Sequence, residues 1–202
     1  MNAKKFKAPF IAAKEIESET GRLRKEFVAL QSIPVDVLGF AEFDLELDFE
    51  FAHIKQLGQE AFLRPDLTGI WFDTVAFTDA DYKPRLRFSA AHELGHFFLH
   101  KEVYGSLGFT TVEQWRRFVD GIPLREYNWI EWQADEFAGR LLIPTERLGA
   151  ALAGAVEDAK REGFFDQGKD EALSACARAL HKDFGVSRSA MEIRIRKSGL
   201  WV

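Results

Sequence analysis

The sequence predicts an α+β fold, with a small β-sheet packed on one central helix and further helices around it. Three observations carry this. Residues 85–100 (RLRFSAAHELGHFFLH) place Leu86, Ala90, Leu94, Phe97 and Phe98 at spacings of mainly three to four, the period of a helix. Residues 43–51 (FDLELDFEF) alternate strictly between apolar and acidic side chains, the period of a strand. Residues 131–144 (EWQADEFAGRLLIP) read as a second helix closed by Pro144.

Taken in order, residues 11–31 form a predicted helix with Ile16, Leu23, Phe27 and Leu30 on one side and Gly21 as its weak point. Residues 32–34 break it. The strand at 43–51 comes next, with an apolar and an acidic face. Residues 67–78 suggest two short strands around Asp73 and Thr74. The central helix has Pro84 at its start and Gly105 past its end, where a chain can turn back. Gly95 costs this helix roughly 1 kcal/mol against Ala, so close packing at that point is expected. Residues 105–128 read as irregular, and 145–160 as another helix. Gly163 and Gly168 flank a charged connector. Residues 175–194 have the look of a helix-turn-helix, with Gly185 at the turn and Ala190 packed inward. The expected division is a main domain at 1–160 and a small helical subdomain at 161–202. No repeat and no low-complexity tract interrupts this order.

Length and composition fit a cytoplasmic protein. A chain of 202 residues can bury a substantial core without staples. Cys176 is the one cysteine, so no intrachain disulfide and no cysteine-rich metal site can form. Lys4, Lys5 and Lys7 precede only a short apolar run, 8–13, too short for most signal peptides. No apolar run approaches a membrane span. The net charge of −5 argues against broad nucleic-acid binding by the whole chain. Most of the 19 phenylalanines belong in a core, and a few could line an apolar groove.

The chemistry concentrates in His92-Glu93-Leu94-Gly95-His96. Helix positions four apart lie one above the other on the same face, so His92 and His96 can reach one metal ion. Glu93 can reach a water on that metal and act as general base. The competing reading is a pair of helix histidines that never meet a metal. Catalytic zinc usually takes three protein ligands. The longer H-E-x-x-H-x-x-G-x-x-H pattern is excluded, since Leu99 and Glu102 stand where it needs glycine and histidine. His100 lies about 12 Å along the helix from His92 at 1.5 Å per residue. A helix C-terminal cap accounts for it better than ligation. A third ligand therefore comes from elsewhere. Glu131 could ligate, and Asp135, one turn on, could hold the free N–H of a ligand imidazole. The rival for both is a solvated acidic helix face. Ala134 and Ala138 are small enough to let the two helices approach.

These two segments, in this order and spacing, resemble the ImmA/IrrE family of metallo-endopeptidases. The family shows an R-x-R-F-x-x-A-H-E-L-G-H-x-x-x-H block followed by E-x-x-A-(N/D)-x-F-A-x-x-L-L-x-P. Weaker likeness extends to residues 33–37 (IPVDV) and 184–187 (FGVS). The resemblance implies a zincin-like fold and a gluzincin-type site, with His92, His96 and Glu131 on Zn2+ and Glu93 as base. Asp135 fills the Asn/Asp position of the second block. The implied substrate is a helix-turn-helix transcriptional repressor, cut in a stress or mobile-element switch.

Three features lie outside these blocks. Asp44, Glu46, Asp48 and Glu50 could attract a basic partner, but a solvated strand face is the preferred account. From Glu171 to Val202 the chain has six lysines and arginines against three acids. A structural or substrate-docking role is preferred there over direct DNA binding. Tyr104 and Tyr127 are candidate donors to a reacting carbonyl oxygen, without pattern support; His53 and His181 read as ordinary. The rival functions are a non-enzymatic, antitoxin-like zinc-bearing regulator and a DNA-binding regulator using the C-terminal segment.

Overall fold

The computed structural model describes residues 3–54, 60–107 and 112–201. Helix α1 (Ala13–Glu26) buries Ile16, Thr20 and Leu23. It stops short of residue 31 because Phe27 is extended (φ −113°, ψ 126°) and turns its ring onto Phe40, 4.9 Å away, while Val28–Leu30 makes a separate 3-10 turn. The expected break at 32–34 leads into α2 (Val37–Gly39), capped by the Asp36 carboxylate, and then into one π-helical turn, Phe40–Asp44.

The predicted strand at 43–51 needs correction. Only β1 (Asp48–Ala52) is extended. Glu46 takes φ 53° and the Leu47 N–H returns to the Ala41 carbonyl, so a turn breaks the alternating run. The acidic row is broken with it: Asp44 lies in the π turn, and Glu50 is spent on Arg64 and on the Trp71 indole N–H (2.7 Å). Strand β2 (Ala61–Leu63) and strand β3 (Gly69–Asp73) complete a three-stranded mixed sheet of order β1-β3-β2. β1 runs parallel to β3, with Phe49 opposite Ile70, and β2 runs antiparallel to it, with Phe62 opposite Trp71. The second strand expected beyond Asp73 is a helix instead, α3 (Thr74–Thr78). The Asp73 carboxylate accepts the N–H groups of Val75 (3.1 Å) and Ala76 (3.0 Å), an N-cap that commits the chain to helix.

Helix α4 (Lys83–Leu99) is buried on nearly every side and forms the centre of the fold. The chain continues into α5 (Lys101–Leu107), so Gly105 lies within a helix rather than at a turn back. The stretch read as irregular holds α6 (Val112–Gly121) and the first turn of α7 (Leu124–Leu142); residues 108–111 of it lie outside the described residues. α7 thus starts seven residues before Glu131, with Pro123 as its N-cap. Helix α8 (Thr145–Arg161) follows as expected. The glycine-flanked connector contains α9 (Phe164–Gln167), with Gly163 and Gly168 at φ 77° and 133°. Helices α10 (Lys169–Leu180) and α11 (Arg188–Lys197) end the chain, joined by a turn at Gly185.

α4 lies between β2 and α7, and one core runs through all three: Leu63, Leu86, Ala90, Leu94, Phe137 and Leu141 are members. A Cβ at Gly95 would stand 2.9 Å from the Ala134 Cα and 3.1 Å from its carbonyl oxygen. The missing side chain lets α4 and α7 touch backbone to backbone, which offsets the propensity loss at this glycine.

Arg87, buried on α4, gathers distant pieces of chain. Its guanidinium donates to the carbonyls of Val35 (2.5 Å) and Gly185 (3.0 Å). Gly185 needs its left-handed φ of 63°, and a Cβ there would press on Pro34 and on Arg87 itself. Five of the C-terminal cations have partners within the chain, Arg194 in the interior and the others at the surface. Arg194 is 4% exposed and donates to the Ile143 carbonyl and the Thr145 hydroxyl. Arg196 pairs with Asp170, Lys197 with Glu136 and Arg188 with Glu192, while Arg178 lies over the Phe164 ring. His181 Nδ1 donates to the Val186 carbonyl at 3.1 Å, closing the same turn. Cys176 is buried and free. Among the described residues, no helix is long and apolar enough to cross a membrane.

Candidate metal centre

The one-turn spacing on α4 brings the Nε2 atoms of His92 and His96 to 3.1 Å of each other. α7, held close by Gly95 and Ala134, delivers Glu131 to the same point. Its carboxylate oxygens lie 3.4 Å from His92 Nε2 and 3.6 Å from His96 Nε2. The three prospective ligand atoms all fall within 4.8 Å of one another. Each imidazole is fixed from behind. His92 Nδ1 donates to Asp135 Oδ1 at 2.9 Å, and His96 Nδ1 meets His100 Nδ1 at 3.0 Å. Glu93, on the adjacent side of α4, is buried and accepts the backbone N–H of Leu63 on β2 at 2.8 Å.

The electrostatics follow from burial and from three carboxylates in a small volume. Burial drives His96 well below the usual histidine range, and the neighbouring His92 and His100 push the same way. Burial also takes His100 down to about 4, against the hydrogen bond to Gln133. At His92, burial opposes charging, but hydrogen bonds to Asp135 and Glu131 and the charge of Glu93 win and raise it to about 10. Burial lifts Glu93 to about 7. Tyr127, hydrogen-bonded to Glu131, is pushed up to about 12, first by burial and then by the Glu131 and Glu93 charges. Tyr104 is buried and raised well above the ordinary phenol range for the same reasons. Both phenols therefore face the cluster protonated.

Two nitrogen lone pairs and a carboxylate converging at these distances repel one another unless a proton or a cation lies between them. Two imidazoles and one glutamate are also a donor set of catalytic zinc sites. The residues present fit a zinc ion.

All five site residues expected from the sequence, His92, Glu93, His96, Glu131 and Asp135, come together. His100 needs a correction. Its backbone does cap α4, its N–H returning to the His96 carbonyl at 3.0 Å, but its ring does not point at the helix end. At 1% exposure it turns inward, placing Nε2 2.8 Å from Gln133 Oε1. Sequence reasoning misses Gln133 and the Leu63 amide altogether. The signal for Gln133 is a polar residue on the buried face of α7, between two small or apolar neighbours.

A family model described as the peptidase M78, IrrE N-terminal-like domain matches residues 73–196. This chain belongs to the IrrE N-terminal-like family. The matched M78 stretch includes α4, α7 and every member of the His92/His96/Glu131 cluster. Membership of a peptidase family, together with this cluster, supports metallopeptidase chemistry. No curated protein and no solved structure matches the chain significantly.

A cavity of about 580 Å³ has Asp135 in its wall but none of His92, Glu93, His96 and Glu131. Phe88 and Ile193 give it apolar wall, and Glu60, Arg85, Glu136 and Lys197 are among the charged residues that also line it. Ile193, on α11, is 54% exposed.

Proposed function

We propose that this protein is a zinc-dependent endopeptidase of zincin-like architecture. The observation that carries the reading is the convergence of His92, His96 and Glu131 within 4.8 Å, with Glu93 beside them, inside a peptidase-family match. His92, His96 and Glu131 hold the metal. A zinc ion there supplies acidification of water toward a pKa of about 7 and polarisation of a carbonyl oxygen. Asp135 and His100 orient the two imidazoles. Glu93, anchored on the Leu63 amide, takes a proton from the attacking water and passes it to the leaving amine.

The substrate is a protein, and we propose a helix-turn-helix repressor, by the likeness to the ImmA/IrrE family. The C-terminal helices serve docking: Ile193 presents an apolar side chain to the cavity lined by Asp135, and the burial of Arg194 on Ile143 and Thr145 takes that cation away from any DNA-reading role. The test is incubation of zinc-loaded protein with repressors encoded beside it, with and without chelator, read by intact mass of the fragments. Chelator-sensitive cutting is expected. If no repressor is cut while Glu93→Gln regulates its target as native protein does, the zinc-bearing regulator takes the enzyme's place.

A further inference from the structure

A buried chain of hydrogen bonds leads away from His96, and its far end settles its direction. The Pro9 carbonyl can only accept. Gln133 contacts it at 2.8 Å, so the contacting atom is the amide Nε2–H and the other end of the side chain is its oxygen. That oxygen, 2.8 Å from His100 Nε2, also only accepts, so His100 carries its proton on Nε2. The neutral His100 ring then offers a lone pair at Nδ1. His96, 3.0 Å away, must donate from Nδ1, which leaves its Nε2 without a proton and aimed at His92 and Glu131.

We propose that His100 and Gln133 are positioning residues that set the proton of His96 on Nδ1, with the Pro9 carbonyl as the fixed terminus of the relay. This rests on the metal-site reading for its purpose, but not for its geometry. The two imidazoles are backed differently. His92 leans on the Asp135 carboxylate, and His96 on a neutral relay with no charge along it. The relay also recruits a segment outside the family match, since Pro9 precedes residue 73. The Trp129 indole N–H donates to the same Pro9 carbonyl at 3.2 Å, and the Ala8 N–H is held by Glu126 at 2.9 Å, so the terminus is fastened to α7 independently of Gln133.

The experiment is two-bond ¹H–¹⁵N correlation of the histidine rings in metal-free protein at about pH 8, joined to zinc affinity measured by competition with a chromophoric chelator. The native chain should show the Nδ1–H form at His96 and the Nε2–H form at His100. Gln133→Met and His100→Phe should each leave His96 as a mixture of forms and weaken zinc binding about 10- to 100-fold, as loss of an outer partner does. The opposite form at either ring of the native chain overturns the proposal. So does a folded Gln133→Met or His100→Phe protein with native His96 signals and native zinc affinity. If a variant fails to fold, the native ring signals still decide. A native chain with the stated ring forms but no zinc binding would sink the metal-site reading and leave the relay standing.

Discussion

The Leu63 N–H and the Glu93 carboxylate meet at 2.8 Å, across the contact between β2 and α4. Arg64, the next residue, turns its N–H the other way, to Gly69 on β3. The amide of Leu63 therefore belongs to the free edge of the sheet, and Glu93 is fastened to that edge rather than left to swing.

Glu93→Gln keeps this anchor, since the amide oxygen can accept from Leu63, but it removes the base. Zinc content and fold should be retained while cleavage falls at least about a hundredfold, within the usual 10²- to 10⁴-fold contribution of general-base catalysis. Zinc analysis and a fragment-mass assay on the same preparation check both halves. Loss of zinc in this variant would instead make Glu93 a ligand.

The same substitution has a pH signature in metal-free protein. Burial raises Glu93 on folding from 4.5 to about 7. An acid raised on folding costs nothing below its unfolded value. The cost grows between the two values and is complete above the folded one. Metal-free Glu93→Gln should therefore be more stable than the metal-free native chain at pH 8, by up to about 3 kcal/mol, with the gain gone by about pH 4. Thermal melts in chelator across that range measure it. A gain that grows as pH falls would contradict the assignment.

Zinc should bind at about one ion per chain, as a three-ligand site requires. His92→Ala and His96→Ala should largely empty the site, and Glu131→Gln should weaken it so that activity partly recovers with added zinc. Asp135→Ala should act more mildly, about 10- to 100-fold. Elemental analysis after dialysis reads all four; stoichiometric zinc in the double histidine variant would refute the site.

Gly95→Ala sets two effects against each other. Alanine gains roughly 1 kcal/mol of helix propensity, but its Cβ would stand 2.9 Å from Ala134 Cα, where backbone has no rotamer to yield. Overpacking of about 1–3 kcal/mol should win. Both the melting temperature and the zinc affinity should fall, because separating α4 from α7 moves Glu131 away from the histidines. A variant more stable than native would show that the helices can part without loss.

Ile193→Asp, on the exposed face of α11, should cut repressor cleavage about tenfold or more while leaving zinc content and melting temperature unchanged. This is the scale of one lost apolar contact in a substrate pocket, about 1–3 kcal/mol. Unchanged cleavage would remove α11 from the docking surface. Duplex DNA binding at physiological salt should be absent, and Arg194→Ala should lower stability rather than DNA affinity, because its guanidinium is buried on Ile143 and Thr145.

The helices that carry chemistry are legible in the sequence because their signals are local: a four-residue histidine spacing, small residues at 95, 134 and 138, an apolar stripe. The sheet is legible only in part. Alternation at 43–51 satisfies the strand period, yet Glu46 turns the chain, and nothing in the alternation encodes that turn. Asp73 suits a turn between strands as well as it suits a helix cap. Both roles use the same residue type, and the conformation of residues 74–78 decides between them. The two histidines can be paired from a one-turn spacing, whereas Glu131 joins them only through the likeness to the ImmA/IrrE family. The inward turn of His100 cannot be read in either way, since it depends on Gln133 and Pro9, residues distant in sequence whose meeting is a product of tertiary packing.

Arg87 sits inside the family match, but one of its two carbonyl partners, Val35, lies well upstream of residue 73, as does Pro9. A fragment trimmed to 73–196 would keep the whole recognisable motif and lose half the acceptors of a buried guanidinium. The recognisable stretch is therefore smaller than the set of residues that its own buried polar groups bond to. An expression design, transplant or chimera that keeps these contacts has to carry the upstream residues along with the motif: Pro9, Val35 and, on β2, the Leu63 amide that holds Glu93.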